Sequence, residues 1–256
     1  MIGGNQRNVR VVVTAWLLTA TTIGLLAVTA GTARRPVGEL PAYREYVRHW
    51  SALHGGYDPS GSPVVRSWLT VAYTGARPLA GWGVRPDVLT AWGLLASAAV
   101  VAIAAAGGRW VLLAGGIVVL SGFLDSLDGT VAVLTERVTR FGFVLDSVVD
   151  RFSDVAYLLA LAVLGATASL CVAAGVALGL LEYTRARAGN AGMGEIGVVT
   201  LGERGVRIAV VAGTLVSAGL WVDQADRLAG IGAAAVLVVS GVGWGQLLLV
   251  VRRVLR

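Results

Sequence analysis

The chain has 256 residues, 56% hydrophobic and only 14% charged, with a mean hydropathy of +0.74. Soluble domains carry about 25% charged residues, so this composition excludes an ordinary water-soluble domain and indicates an integral membrane protein. The 21 basic residues are all arginine and face 15 acids, for a net charge of +6.

A transmembrane helix needs about 20 mostly apolar residues. Residues 11–33 are the first such run and carry no charge. They read as a retained N-terminal anchor, with a cleaved signal peptide as the alternative. Residues 34–87 follow as the one sizeable non-membrane region. Within it, 42–53 predicts a short amphipathic helix with Tyr43, Tyr46, Val47 and Trp50 on or near one side. The stretch 55–63 (GGYDPSGSP) predicts turns. Residues 64–79 mix Trp68, Leu69, Val71 and Ala72 with Arg66 and Arg77, which suits a helix in the interface plane. His49 and His54 have no metal-ligand spacing and read as surface residues, and the lone Cys171 supports neither a disulfide framework nor a cysteine-based metal cluster.

Six further spans are predicted at 88–108, 110–124 with a continuation through Asp125 and Asp128, 141–165, 166–181, 208–222 and 228–251. The fold class is therefore all-α, a polytopic membrane bundle of six core transmembrane helices with one N-terminal transmembrane helix before it. Three regions result: 1–33 with the extra span, 34–87 as a cytoplasmic loop, and 88–256 as the bundle. The arginines orient it, because cytoplasmic segments carry the positive excess. Arg34, Arg35, Arg44, Arg48, Arg66, Arg77 and Arg85 share one side with Arg137, Arg140, Arg185, Arg187, Arg204, Arg207, Arg252, Arg253 and Arg256. Arg7, Arg10, Arg109 and Arg227 fall on the other, and Arg151 lies within a helix. The charge excess thus marks a cytoplasmic face in a multi-pass cell-membrane protein with an extracytoplasmic N-terminus, and is no nucleic-acid footprint.

Five of the nine aspartates lie between 125 and 154, in segments otherwise suited to hydrocarbon. A carboxylate at that depth is expensive, which marks it as a functional candidate. Asp125 and Asp128 are i,i+3 and Asp146 and Asp150 are i,i+4, so each pair shares a helix face. Adjacent antiparallel helices would merge the pairs into one cluster whose mutual repulsion calls for divalent cations. All-oxygen ligation favours Mg²⁺ or Mn²⁺, and a two-metal site suits phosphoryl chemistry. Gly129 and Gly142 beside these aspartates allow close backbone approach. For Asp154, plain bundle glue is the alternative reading. A transporter or a non-catalytic scaffold would also carry buried carboxylates, although placement near the cytoplasmic helix ends favours a site for cytoplasmic substrates.

The run Asp125-Ser-Leu-Asp128-Gly129-Thr-Val-Ala132, followed by Gly142, Asp146 and Asp150, resembles the signature of the CDP-alcohol phosphatidyltransferases, D-x2-D-G-x2-A-R-x8-G-x3-D-x3-D. Every spacing fits, and seven of the eight fixed positions match. Pro86-Asp-Val-Leu89-Thr90, Glu182-Tyr-Thr-Arg185-Ala-Arg187-Ala188 and Gly202-Glu203-Arg204-Gly-Val-Arg207 are similar to the family's flanking segments, so the resemblance covers roughly 64–251. It implies a six-helix, usually dimeric bundle that moves a phosphatidyl or similar group from a CDP-linked lipid such as CDP-diacylglycerol to an alcohol, releasing CMP. It further implies that Asp125, Asp128, Asp146 and Asp150 hold two Mg²⁺ or Mn²⁺ ions. Asp150 would be the catalytic base, and Gly129, Ala132 and Gly142, with Asp128, would line the donor nucleotide. Arg185, Arg187, Arg204 and Arg207 would take an acceptor phosphate, as in glycerol 3-phosphate or inositol phosphate; a neutral alcohol is the in-class alternative. The chain departs from the signature at Val133, where the family has arginine, and carries Gly189 where phosphate-acceptor members often have an acid.

Overall fold

The computed structural model describes residues 38–193 and 200–256; the predicted span over 11–33 and the tail before it lie outside the described residues. Among the described residues, eight α-helices follow one another: α1 Tyr43–Leu53, α2 Pro63–Gly81, α3 Pro86–Ala106, α4 Trp110–Leu134, α5 Arg140–Leu164, α6 Ala168–Asn190, α7 Arg204–Leu220 and α8 Ala225–Val254. Short 3-10 turns at Pro59–Gly61 and Val222–Gln224 interrupt the loops, and no strand occurs among the described residues. Among the described residues, four helical stretches are long and apolar enough to cross a bilayer: α3, α4, α6 and Val222–Val254, which ends in α8. The chain is thus an all-helical protein with the build of a multi-pass membrane protein. The two other bundle helices depart from that apolar standard for visible reasons. α5 carries Asp146, Asp150, Arg151 and Asp154, and α7 has only 17 residues.

Local chemistry sets the helix ends. Ser62 caps α2 by accepting from the Val65 amide, with Pro63 at the first helical position, where a missing N–H is harmless. Thr139 caps α5 in the same manner through the Gly142 amide at 2.9 Å. The α5–α6 turn passes through Gly165 at φ +121°, and a Cβ there would lie 2.7 Å from the Asp226 Cβ, so glycine is required on both counts. The largest difference from expectation is α6. It was expected to end at 181, where charges begin, yet it runs to Asn190 and carries Glu182 and Arg185 with it. Those charges stay helical because they pair with neighbouring helices, as described below.

Two apolar cores result. The larger joins α3 to α8 through small side chains such as Ala104, Ala114, Ala174, Ala218, Ala229 and Ala233, all nearly inaccessible. Small residues let membrane helices approach closely, and dispersion over that contact replaces the hydrophobic drive that lipid cannot supply. The smaller core packs α1 and α2 on one flank of α4, around Tyr46, Leu69, Tyr73, Leu127, Val131, Val133 and Leu134. The Tyr46 hydroxyl lies 3.2 Å from Thr130 Oγ1, and the Trp68 indole donates to Ser126 at 3.2 Å. Large apolar side chains of α5 such as Phe141, Phe152 and Leu159 point outward and are exposed, as lipid-facing residues should be.

The loop before α7 is fixed by backbone approach. A Cβ on Gly243 of α8 would lie 2.6 Å from the Gly202 nitrogen, and one on Gly202 would meet Leu181 Cδ2 at 2.5 Å. The Gln246 side chain accepts from the Leu201 amide at 2.9 Å. Glu203, Arg204 and Arg207 hang on this seat. Gly243→Ala should therefore destabilise by about 1–3 kcal/mol through overpacking, visible as a lowered Tm in detergent.

Candidate active site

Helices α4 and α5, both packed on α3, bring the aspartates together. One carboxylate oxygen from each of Asp125, Asp128 and Asp146 lies within 4.8 Å of the others. Asp128 is 6% exposed, and one of its oxygens accepts from the Thr90 hydroxyl of α3 at 2.5 Å. Asp150 stands one turn beyond Asp146 and joins the group through Arg204. The guanidinium Nη1 of Arg204 contacts Asp125 Oδ1 and Asp150 Oδ1, the latter at 2.5 Å. A narrow recess at this point, with no room for a water molecule, is lined by Thr90, Gly93, Ser121, Asp125, Asp128, Val149, Ser153 and Arg204. Its inner end is polar: the Ser97 hydroxyl lies 2.6 Å from that of Ser121 and 2.9 Å from that of Ser153.

Behind the cluster runs a chain of alternating charges. Arg207 Nη1 reaches Glu182 Oε1 at 3.0 Å, and its Nη2 reaches Asp154 at 3.4 Å. Arg151 Nη1 takes the same Glu182 oxygen at 3.3 Å, and its Nη2 takes Asp154 at 3.2 Å and Asp150 at 3.8 Å. Arg185 pairs with Glu203 at 2.8 Å and with Glu182 at 3.8 Å. Four residues thus close a ring, Arg151–Asp154–Arg207–Glu182, across α5, α6 and α7. Sequence reasoning gave no role to Glu182 or Glu203. The signal for Glu182 was its i,i+3 spacing to Arg185.

The expected site residues fall into distinct places. Arg204 lies among the aspartates, whereas Arg185, 37% exposed, pairs with Glu203 and Glu182. Arg207 departs from the expectation of an open phosphate ligand. It is 1% exposed, and the ring and the Gly202 carbonyl occupy its guanidinium. Arg187 is not brought to the cluster either. Two residues on from Arg185 it lies roughly 200° around the helix, exposed, with no ion pair among the described residues. Gly129 is exposed, with open space where a Cβ would be, and Ala132 beyond it is half-buried. The Gly142 amide is bound to Thr139, so this glycine belongs to the α5 cap. Val133 turns into the smaller apolar core.

Charge and geometry suit a divalent cation. Asp125, Asp128, Asp146, Asp150, Asp154, Glu182 and Glu203 face four guanidiniums, from Arg151, Arg185, Arg204 and Arg207, and so carry a negative excess when ionised. Asp146 Oδ1 is buried with no hydrogen-bond partner. A buried carboxylate oxygen in that state is costly, and a hard cation held by oxygen ligands would satisfy it.

Known proteins resemble this chain in sequence and in fold. The family model described as CDP-alcohol phosphatidyltransferase matches residues 84–251. An archaetidylinositol phosphate synthase of Pyrococcus horikoshii is 39% identical over 102 residues, covering 39% of this chain and 53% of that protein. The one from Methanothermobacter thermautotrophicus is 37% identical over 131 residues, covering 50% and 65%. The chain therefore aligns with between half and two thirds of the length of these relatives. The crystal structure of Mycobacterium tuberculosis phosphatidylinositol phosphate synthase with CDP-DAG bound superposes with a TM-score of 0.56 at 27% identity, covering 71% of this chain and 94% of that one. The same enzyme in complex with manganese and citrate matches equally, covering 88% of that chain.

The buried ring makes a stability prediction. Arg207→Gln leaves Asp154 facing one guanidinium where there were two, and should cost about 3–5 kcal/mol by thermal unfolding in detergent. Arg187→Gln should leave the Tm unchanged.

Proposed function

The chain belongs to the CDP-alcohol phosphatidyltransferase family, and from that premise we propose that it transfers a phosphatidyl-type group from a CDP-linked lipid to a polyol phosphate, releasing CMP. Inositol phosphate is the favoured acceptor, because the curated relatives and the solved structure cited above are inositol phosphate lipid synthases. The observation that carries the reading is the convergence of Asp125, Asp128 and Asp146 from two helices, with Asp150 tied in by Arg204.

Asp125, Asp128, Asp146 and Asp150 would hold two divalent cations, Mg²⁺ or Mn²⁺. Bound there, these ions supply positive charge against the donor diphosphate. Gly129 and Ala132 leave room for the nucleotide beside Asp128. Arg185 and Arg204 offer forked guanidiniums to the acceptor phosphate, a geometry that suits bidentate binding. Asp150 takes the proton of the acceptor hydroxyl while that oxygen bonds to the lipid-proximal phosphorus. The bond from this phosphorus to the bridging oxygen breaks, and that oxygen leaves on CMP. Thr90 keeps Asp128 oriented, and the Arg151–Asp154–Arg207–Glu182 ring keeps α5, α6 and α7 in register beneath it.

In the membrane, α3 to α8 form six core spans in region 88–256, with residues 11–33 as a seventh and 34–87 as the cytoplasmic linker. The aspartates then open to the cytoplasm, and the N-terminus lies outside. Two copies would pair in the bilayer, as the family resemblance implies.

Purified protein given CDP-diacylglycerol, Mn²⁺ and a mixed pool of inositol phosphate, glycerol 3-phosphate and free inositol should release CMP, with the phosphorylated inositol lipid as the product by mass. No CMP across that pool would sink the reading. Asp150→Asn should lower kcat by about 10²–10⁴-fold, the scale of a lost general base.

A further inference from the structure

We propose that Arg204 is the internal counter-cation of the carboxylate cluster, and that metal and acceptor phosphate reach their places by exchanging this one guanidinium. The inference rests on the functional reading above. Arg204 is the first residue of α7, and its side chain is 16% exposed. Its Nη1 contacts Asp125 Oδ1 from α4 and Asp150 Oδ1 from α5. Both belong to the four carboxylates that would hold the metal. A guanidinium and a divalent cation drawn to the same carboxylates repel each other, strongly so where water is scarce. Cation binding to Asp125 and Asp150 therefore weakens the hold on Arg204.

Among the described residues, the released guanidinium has no other carboxylate waiting for it. Asp154 is taken by Arg151 and Arg207, Glu182 by Arg151, Arg185 and Arg207, and Glu203 by Arg185. Arg204 Nε is moreover buried without a hydrogen-bond partner, so this side chain has a donor to spare. A phosphate brought by the acceptor is the group that fits both needs. A neutral alcohol would leave the charge uncompensated. The consequence is positive coupling: metal promotes phosphate binding, and phosphate tightens metal by the same factor. The arrangement thereby selects a phosphorylated acceptor at the moment the metal site is filled.

The test is direct Mn²⁺ binding by the full-length chain in detergent, followed by electron paramagnetic resonance without donor. Arg204→Gln should bind Mn²⁺ more tightly than wild type, by about fivefold or more, the lower end of ordinary coupling factors. Arg204→Lys, which keeps the charge, should stay near wild type, as should Arg187→Gln, which removes a charge outside the site. Inositol phosphate should tighten Mn²⁺ binding in wild type and do so far less in Arg204→Gln. If Arg204→Gln binds Mn²⁺ equally or more weakly, the guanidinium orients the ligands and the proposal is overturned. Should that variant fail to fold, wild type alone decides: Mn²⁺ affinity indifferent to inositol phosphate overturns it as well. A wild-type chain that binds no Mn²⁺, or an Asp146→Asn variant that binds it as before, would instead defeat the underlying metal-site reading.

Discussion

A carboxylate within a hydrocarbon-embedded bundle must be met by positive charge, and one end of this protein is arranged around that demand. Three aspartates from α4 and α5 converge, and a fourth, Asp150 of α5, is tied in by Arg204 of α7. The guanidiniums that answer them come from α5, α6 and α7, so the charges are also the ties between helices. Arg207 alone links α7 to Asp154 on α5 and to Glu182 on α6. Had those charges been solvated individually, α6 would have ended where its apolar run ends. Pairing lets it continue to Asn190 and carry Arg185 to Glu203 at the start of α7.

The rest of the bundle frees that end from other duties. The large core holds almost no charge and is built on alanine-sized contacts, which set helices close without long side chains to order. Polar groups that do enter it are hydroxyls, and they find each other: Ser97, Ser121, Ser153 and Tyr157 share one network beneath the aspartates. Thr90 extends the pattern to Asp128. The acidic cluster is thus backed by neutral hydroxyls as well as by the charged ring.

What could be read in the sequence follows from the range of the interaction. Helices α1 to α8 lie close to the predicted runs, because apolar length is a local property. The aspartate cluster was legible for the same reason: i,i+3 and i,i+4 spacings place side chains on one helix face before any tertiary fact is known. The arginines were not so legible. Arg204 and Arg207 look alike in sequence, but one lies among the aspartates and the other is sealed in the ring. What separates them is pairing over 25 and 53 residues, which no local pattern encodes. Arg187 was expected beside Arg185 and falls on the opposite side of α6 for a simpler reason, the helical turn itself.

Val133 bears on how such a protein is assembled from parts. It stands where the family signature has arginine, and its side chain is 8% exposed within the cluster that seats α1 and α2 against α4. An arginine here would push an unpaired charge among Tyr46, Leu69 and Tyr73, or force the helices apart. The valine and the two preceding helices therefore make one inseparable module. A chimera that moved the bundle without residues 38–83 would bare an apolar flank of α4. One that kept them but regained the signature arginine would bring a charge into the core that seats them.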